Sequence, residues 1–169
     1  FHGRLVRQKG IPVIIDLIDK LFAEHQNVRL IINGQGEHYL QEELSKKAEQ
    51  YPGKLVFLCG YERSLARLCT ACGDFALFPS EFEPCGLEDF IAQIYGTIPI
   101  AHSTGGLKKI VNGKSGFTYS PNTSDRLLLV LNEVIKNKEC SPDYYLDLIK
   151  SAADYVKENY SWHIVANQR

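Results

Sequence analysis

Residues 74–101 read DFALFPSEFEPCGLEDFIAQIYGTIPIA, and this stretch decides the fold. Asp74–Phe78 and Thr97–Ala101 are short apolar runs of strand length. Between them, a proline-stiffened loop leads into residues 87–95, which read as a helix. A strand, a crossover of this length containing a helix, and a second strand form a unit whose two strands run parallel.

The same alternation extends outward. On the amino-terminal side, Pro12–His25 carries apolar residues at 13, 14, 17, 18, 21 and 22, a helical stripe with proline in its first turn. Val28–Ile32 reads as a buried strand closed by Asn33-Gly34-Gln35-Gly36. Tyr39–Tyr51 reads as a polar-faced helix stopped by Pro52-Gly53, Lys54–Cys59 as a strand, and Leu65–Cys72 as a small helix. Phe1-His2 is the end of a truncated first strand. On the carboxyl side, Gly116–Tyr119 is a final edge strand, followed by helices over 125–136 and 143–159. The expectation is one α/β domain over residues 1–169, with a doubly wound parallel sheet and helices on both faces. Ligands of such sheets bind beyond the carboxyl ends of the strands, so the loops there should carry the chemistry.

Composition narrows the function. The chain has 169 residues with 19 Lys plus Arg against 20 Asp plus Glu, a formal net charge of −1. That balance excludes bulk binding to nucleic acid or to an anionic membrane, which needs a basic surface. No apolar run approaches the roughly 20 residues of a membrane span. The chain begins at Phe1 and contains no methionine, which reads as a piece of a longer protein. Five cysteines, an odd number, argue against a disulfide framework and for a reducing compartment. Cys69-x-x-Cys72 lacks the second ligand pair of a zinc site, and its thiols are expected in the core. His2, His25, His38 and His163 show no metal-ligand spacing and read as surface or packing residues.

The strand exits hold a recurring set of groups. Gly3, Arg4 and Lys9 follow the first strand, with Gly10 ahead of a helix; two cations by a helix start suit a diphosphate, or simply a solvated loop. Gly34-x-Gly36 permits either a tight turn or close backbone approach to a ligand. It lacks the rest of the glycine pattern of dinucleotide binding. Tyr61, at the exit of the third strand, is placed either to stack on a nucleobase or to pack on the next helix. In Pro79–Leu87, Glu83 is held between Phe82 and Pro84 as a group meeting a sugar hydroxyl would be, and Gly86 opens a helix whose free amides suit phosphate. Thr104-Gly105-Gly106 follows the fifth strand and offers a second place of close backbone approach.

Several of these stretches resemble one family. Arg4-Leu5-x-x-Gln8-Lys9-Gly10 is similar to the start of the carboxy-terminal half of bacterial glycogen synthases and plant starch synthases. Phe82-Glu83-Pro84-Cys85-Gly86-Leu87, Tyr95-Gly96-Thr97-Ile98-Pro99 and Thr104-Gly105-Gly106-Leu107 resemble that family's most specific stretch, and Ser161-Trp162 the Ser-Trp of its closing helix. The resemblance implies a retaining glycosyltransferase of two facing Rossmann-like domains (the GT-B arrangement), of which this is the donor-nucleotide domain. It implies transfer of glucose from ADP-glucose to the non-reducing end of an α-1,4-glucan, without metal or other cofactor. The acceptor glucan would be met by the missing amino-terminal domain, in the cytoplasm or a plastid stroma. Arg4 and Lys9 match the cations on the donor's diphosphate, Tyr61 the adenine-stacking aromatic, and Glu83 the acid by the transferred glucose. Gly86 and Leu87 would present backbone to phosphate or sugar, and Thr104, Gly105 and Gly106 would line the same pocket.

The sequence departs from that family at Glu88-Asp89, where Thr-Gln is usual, and at Lys108-Lys109, where an Asp is usual two residues after the Thr-Gly-Gly-Leu stretch. Two acids in a first helical turn suit the helix dipole but compete with phosphate for the same positive end. Two other readings therefore stand beside the first. One is a related transferase using UDP-glucose for another glycan. The other is a non-catalytic member that binds glucan or protein.

Overall fold

The computed structural model describes residues 1–167. The chain opens with Phe1–Leu5 alongside strand β1 (Leu30–Gly34), to which it makes parallel bridges at His2–Asn33 and Leu5–Gly36. The Phe1 ammonium donates to Ile31 O at 2.9 Å, and Gly3 N to Asn33 O at 3.0 Å. A Cβ on Gly34 would lie 1.9 Å from Gly3 O, and one on Gly36 2.1 Å from Leu5 O. The Gly34-x-Gly36 pair therefore admits the opening segment's own backbone.

After a 3-10 turn at Arg7–Lys9, helix α1 (Ile11–Glu24) buries Ile11, Ile14, Ile15, Leu17, Ile18, Leu21 and Phe22. Helix α2 (His38–Gln50) leads to β2 (Leu55–Cys59), which pairs parallel with β1 from Leu30–Leu55 to Gly34–Cys59. Helix α3 (Arg63–Cys72) starts on Glu62, whose carboxylate accepts from the Ser64 and Leu65 amides at 3.0 and 2.8 Å. Strand β3 (Phe75–Phe78), helix α4 (Glu88–Ile94) and strand β4 (Ile98–His102) form the parallel unit read from residues 74–101, and β5 (Phe117–Tyr119) extends it. Helices α5 (Ser124–Cys140), α6 (Pro142–Tyr160) and α7 (Trp162–Ala166) close the described chain.

The fold is the expected α/β one with parallel strands, but the sheet comes in two pieces, β1–β2 and β3–β4–β5. The opening segment makes bridges rather than a ladder, and a gap of about 410 Å³ separates the β1 and β3 edges. One apolar core nonetheless spans both pieces, joining Leu5, Ile14 and Ile32 to Ile98, Ile100, Leu127 and Leu148. Each such fully buried aliphatic side chain contributes about 1.5–3 kcal/mol. A smaller cluster of Ala101, Leu107 and Ile110, with Phe78 against it, lies under the 3-10 turn Gly105–Lys109.

Both 3-10 turns escape the sequence reading, because three to five residues carry no measurable period. The expected core cysteines are a correction. Cys72 is exposed and Cys69 half-buried, since α3 buries Ala66 and Thr70, four apart, and that face leaves residues 69 and 72 aside. All five thiols are free. Among the described residues, no helix is long and apolar enough to cross a membrane.

Candidate functional site

A cleft of about 500 Å³ opens at the carboxyl ends of the strands, between the opening segment, α3 and the loop after β3. Its floor includes Gly3 and Phe78, and its walls carry Lys9, Tyr61, Glu83, Gly86 and Leu87. These residues come from three strand exits as far as 84 positions apart in sequence, Gly3 to Leu87.

Backbone contact brings the first two walls together. Gly10, with φ +73°, sits so close to the loop after β3 that a Cβ there would lie 1.8 Å from Pro79 O. Glu81 N donates to Gln8 O at 2.8 Å, and Gln8 Nε2 to Phe82 O at 3.1 Å. The Arg7–Lys9 turn is thereby stitched to residues 79–82, and Lys9 Nζ lies 2.5 Å from Glu83 Oε2. The two side chains are 25% and 16% exposed, and Ser80 Oγ donates to the same carboxylate oxygen at 3.3 Å. Partial burial makes this pair stronger than a surface one. Arg7 makes a looser, exposed contact with Glu81 at 3.6 Å.

The Glu83–Leu87 loop leans on the second glycine pair. Gly106 N donates to Glu83 O at 2.7 Å. A Cβ on Gly105 would lie 2.1 Å from Glu83 O, and one on Gly106 2.1 Å from Cys85 O. Gly105 and Gly106 thus admit the loop's backbone, and Thr104 Oγ1 donates to Glu81 O at 3.2 Å. After β4, Leu107 lines the cleft, whereas Thr104, Gly105 and Gly106 do not. Arg4 also falls outside the lining; its side chain is exposed, next to Gly3, which does line it.

Gly86, at φ +66°, lies two residues before α4 rather than opening it, and Leu87 is the cap residue. The two acids that follow part company. Asp89 is fully buried, and Lys109 Nζ reaches its Oδ1 at 3.1 Å. Burial pushes the Asp89 carboxyl up to about 6, against the opposing pull of Lys109. Glu88 stays on the cleft side with Oε2 3.6 Å from His2 Nε2. Burial lowers the His2 pKa and Glu88 partly restores it.

Tyr61 follows Gly60 and is 65% exposed, with no aromatic partner among the described residues. Its ring is free to receive a flat ligand face. Beside it α3 presents Arg63 and Arg67 to the cleft. The sequence reading passed over both. Their spacing of four on a short helix, which places two cations on one face, was the available signal. With Lys9 they give the cleft three cations for an anionic ligand, facing Glu83 and Glu88, with the buried Asp89 a third acid against the cleft. Among the described residues, no group of three or more His, Cys, Asp or Glu could hold a metal ion.

Comparison with known proteins places this geometry. Residues 1–161 match the family model described as glycosyl transferases group 1. The glycogen synthase of Desulfitobacterium hafniense is 36% identical over 168 residues, covering 95% of this chain and 35% of that protein. That of Thermodesulfovibrio yellowstonii is 36% identical over 166 residues, covering 96% and 32%. The chain therefore spans about a third of the length of these relatives. Among solved structures, the catalytic domain of starch synthase IV from Arabidopsis thaliana, bound to ADP and acarbose, superposes with a TM-score of 0.86 at 26% identity, covering 99% of this chain and 36% of that one. The carboxy-terminal domain of a group 1 glycosyl transferase from Francisella tularensis gives 0.80 at 18% identity, covering 96% and 84%, a likeness of fold.

Proposed function

The chain belongs to the group 1 glycosyl transferases, and from that premise we propose that it is the donor-nucleotide domain of a retaining α-glucan synthase. The donor is ADP-glucose and the acceptor the non-reducing end of an α-1,4-glucan, held by a second domain beyond this chain, in a cytoplasmic or stromal compartment. The observation that carries this reading is the convergence of Lys9, Glu83, Tyr61 and the Gly86–Leu87 backbone on one cleft. Relatives named glycogen synthase and a starch synthase bound to ADP support the choice of polymer and base.

In the reaction the bond from the anomeric carbon to the β-phosphate oxygen breaks, and the acceptor 4-hydroxyl oxygen takes its place on the same face, its proton passing to the departing phosphate. The departing ADP gains negative charge. With no metal in the mechanism, that charge falls to Lys9 and Arg4 and to the amides at Gly86 and Leu87. Glu83, adjoining Lys9, hydrogen-bonds the hydroxyls of the glucose being moved. Tyr61 stacks on the adenine. Thr104, Gly105 and Gly106 serve by seating the loop that carries Glu83.

A UDP-glucose donor differs only in what lies on Tyr61. The non-catalytic reading rested on Glu88, Asp89 and Lys109, and the pairing of Asp89 with Lys109 weakens it, because that carboxylate already has its counter-charge. Turnover by the full-length protein with glycogen primer tests the proposal, using ADP-glucose and UDP-glucose side by side. Glucan extension from ADP-glucose supports it. Extension from UDP-glucose moves the donor, and extension from neither overturns it.

A further inference from the structure

We infer that Lys109 is a positioning residue of the donor site, holding the Cys85–Gly86 backbone in place from behind the cleft; this rests on the donor-site reading above. Lys109 does not line the cleft, whereas Gly86 and Leu87 do. Its ammonium has three protons to give, and three acceptors take them. Nζ donates to Cys85 O at 2.7 Å, to Gly86 O, and to Asp89 Oδ1 at 3.1 Å. The ammonium also lies 4.0 Å from the centre of the Phe90 ring. Among the described residues, Lys109 is the one donor to either carbonyl.

Upstream, the loop is seated on Gly105 and Gly106, with Gly106 N donating to Glu83 O at 2.7 Å; at Cys85 and Gly86 the side chains add little. Pro84, Cys85 and Leu87 are all exposed, and Gly86 has no side chain to pack. Lys109, by contrast, is fixed at both ends. Its side chain is 13% exposed, and its own carbonyl accepts from Tyr155 Oη on α6 at 3.1 Å. The two carbonyls take two of its protons, and the fully buried Asp89 takes the third. The backbone that lines the cleft at Gly86 and Leu87 is thus pinned through the Cys85 and Gly86 carbonyls by a cation outside the lining.

A buried ion pair that served stability alone would have the same neighbours, so the test separates the two roles. Nucleotide affinity is read by calorimetric titration of the chain with ADP, alongside its thermal melting. Asp89→Asn keeps Lys109 and both carbonyl bonds, and its ADP affinity stays within about threefold of wild type. Lys109→Met loses those bonds and strands the Asp89 carboxylate, lowering both affinity and melting temperature. The double variant, Asp89→Asn with Lys109→Met, removes the stranded charge and regains melting temperature, while its ADP affinity stays at least tenfold weak. ADP affinity within twofold of wild type in the double variant overturns the inference, as does a tenfold loss in Asp89→Asn alone. Should the wild-type chain bind neither ADP nor UDP, the donor-site reading itself fails, a result separate from any variant.

Discussion

Lys9 Nζ and Glu83 Oε2 lie 2.5 Å apart, joining the loop after the opening strand to the loop after β3 across 74 positions of sequence. The cation assigned to the diphosphate and the acid assigned to the sugar are thus each other's counter-charge. On the proposed donor reading, Lys9 would be shared between Glu83 and phosphate, which would tie the two halves of the donor to one pair of side chains.

Lys9→Ala removes a preorganised cation from the departing diphosphate. Turnover of the full-length protein should fall by about 10²–10³. It also leaves Glu83 half-buried without its counter-charge, so the melting temperature should fall as well. Adding Glu83→Gln should recover the melting temperature but not the turnover. Steady-state rates and thermal melts on the single and double variants check both halves.

Tyr61→Ala removes an exposed ring, and surface substitutions of this kind change stability by no more than about 0.5 kcal/mol. If the ring stacks on adenine, ADP binding weakens by about 1–3 kcal/mol, between about fivefold and 150-fold, and Tyr61→Phe retains it. Titration with ADP beside a melting curve separates the ligand effect from any effect on folding.

Gly106→Ala places a Cβ 2.1 Å from Cys85 O, against backbone that cannot yield without moving. The Glu83–Leu87 loop should shift, with stability falling by about 1–3 kcal/mol, the range for overpacked sites. ADP affinity should fall at least tenfold although Gly106 lies outside the cleft lining. Gly53→Ala, with open space around its Cβ but a φ of +74°, is the control for backbone strain alone; it should leave ADP affinity unchanged.

Asp89 gives a pH dependence of fixed sign. Burial raises its carboxyl from an ordinary 3.8 to about 6, so between those values the folded chain holds a proton that the unfolded chain has lost. The stabilisation is complete below about pH 4 and is lost as pH rises through about 6, on the order of 3 kcal/mol for a shift of this size. Asp89→Asn should flatten that part of the stability curve, as measured by urea unfolding at a series of pH values.

Much of this was legible in sequence, for physical reasons. Burial on both faces makes strands such as Leu30–Gly34 and Ile98–His102 read as apolar runs, and α1 reads as a stripe because one face is buried. Strand exits are short loops, so the residues there were already gathered by topology. Three-dimensional contact set what could not be read. That Gly105 and Gly106 admit the Glu83–Cys85 backbone, that Asp89 turns inward to Lys109 while Glu88 faces His2, and that Cys72 is exposed all depend on rotations no local pattern records.

The cleft between Lys9, Tyr61 and Glu83 is the proposed donor-nucleotide site. Calorimetric titration of the chain and of the full-length protein with ADP and UDP tests it most directly, with Lys9→Ala and Tyr61→Ala alongside. One ADP per chain, tighter than UDP and weakened by about fivefold or more by each substitution, is the predicted result. Binding of neither nucleotide by either protein, or ADP binding indifferent to both substitutions, would contradict it.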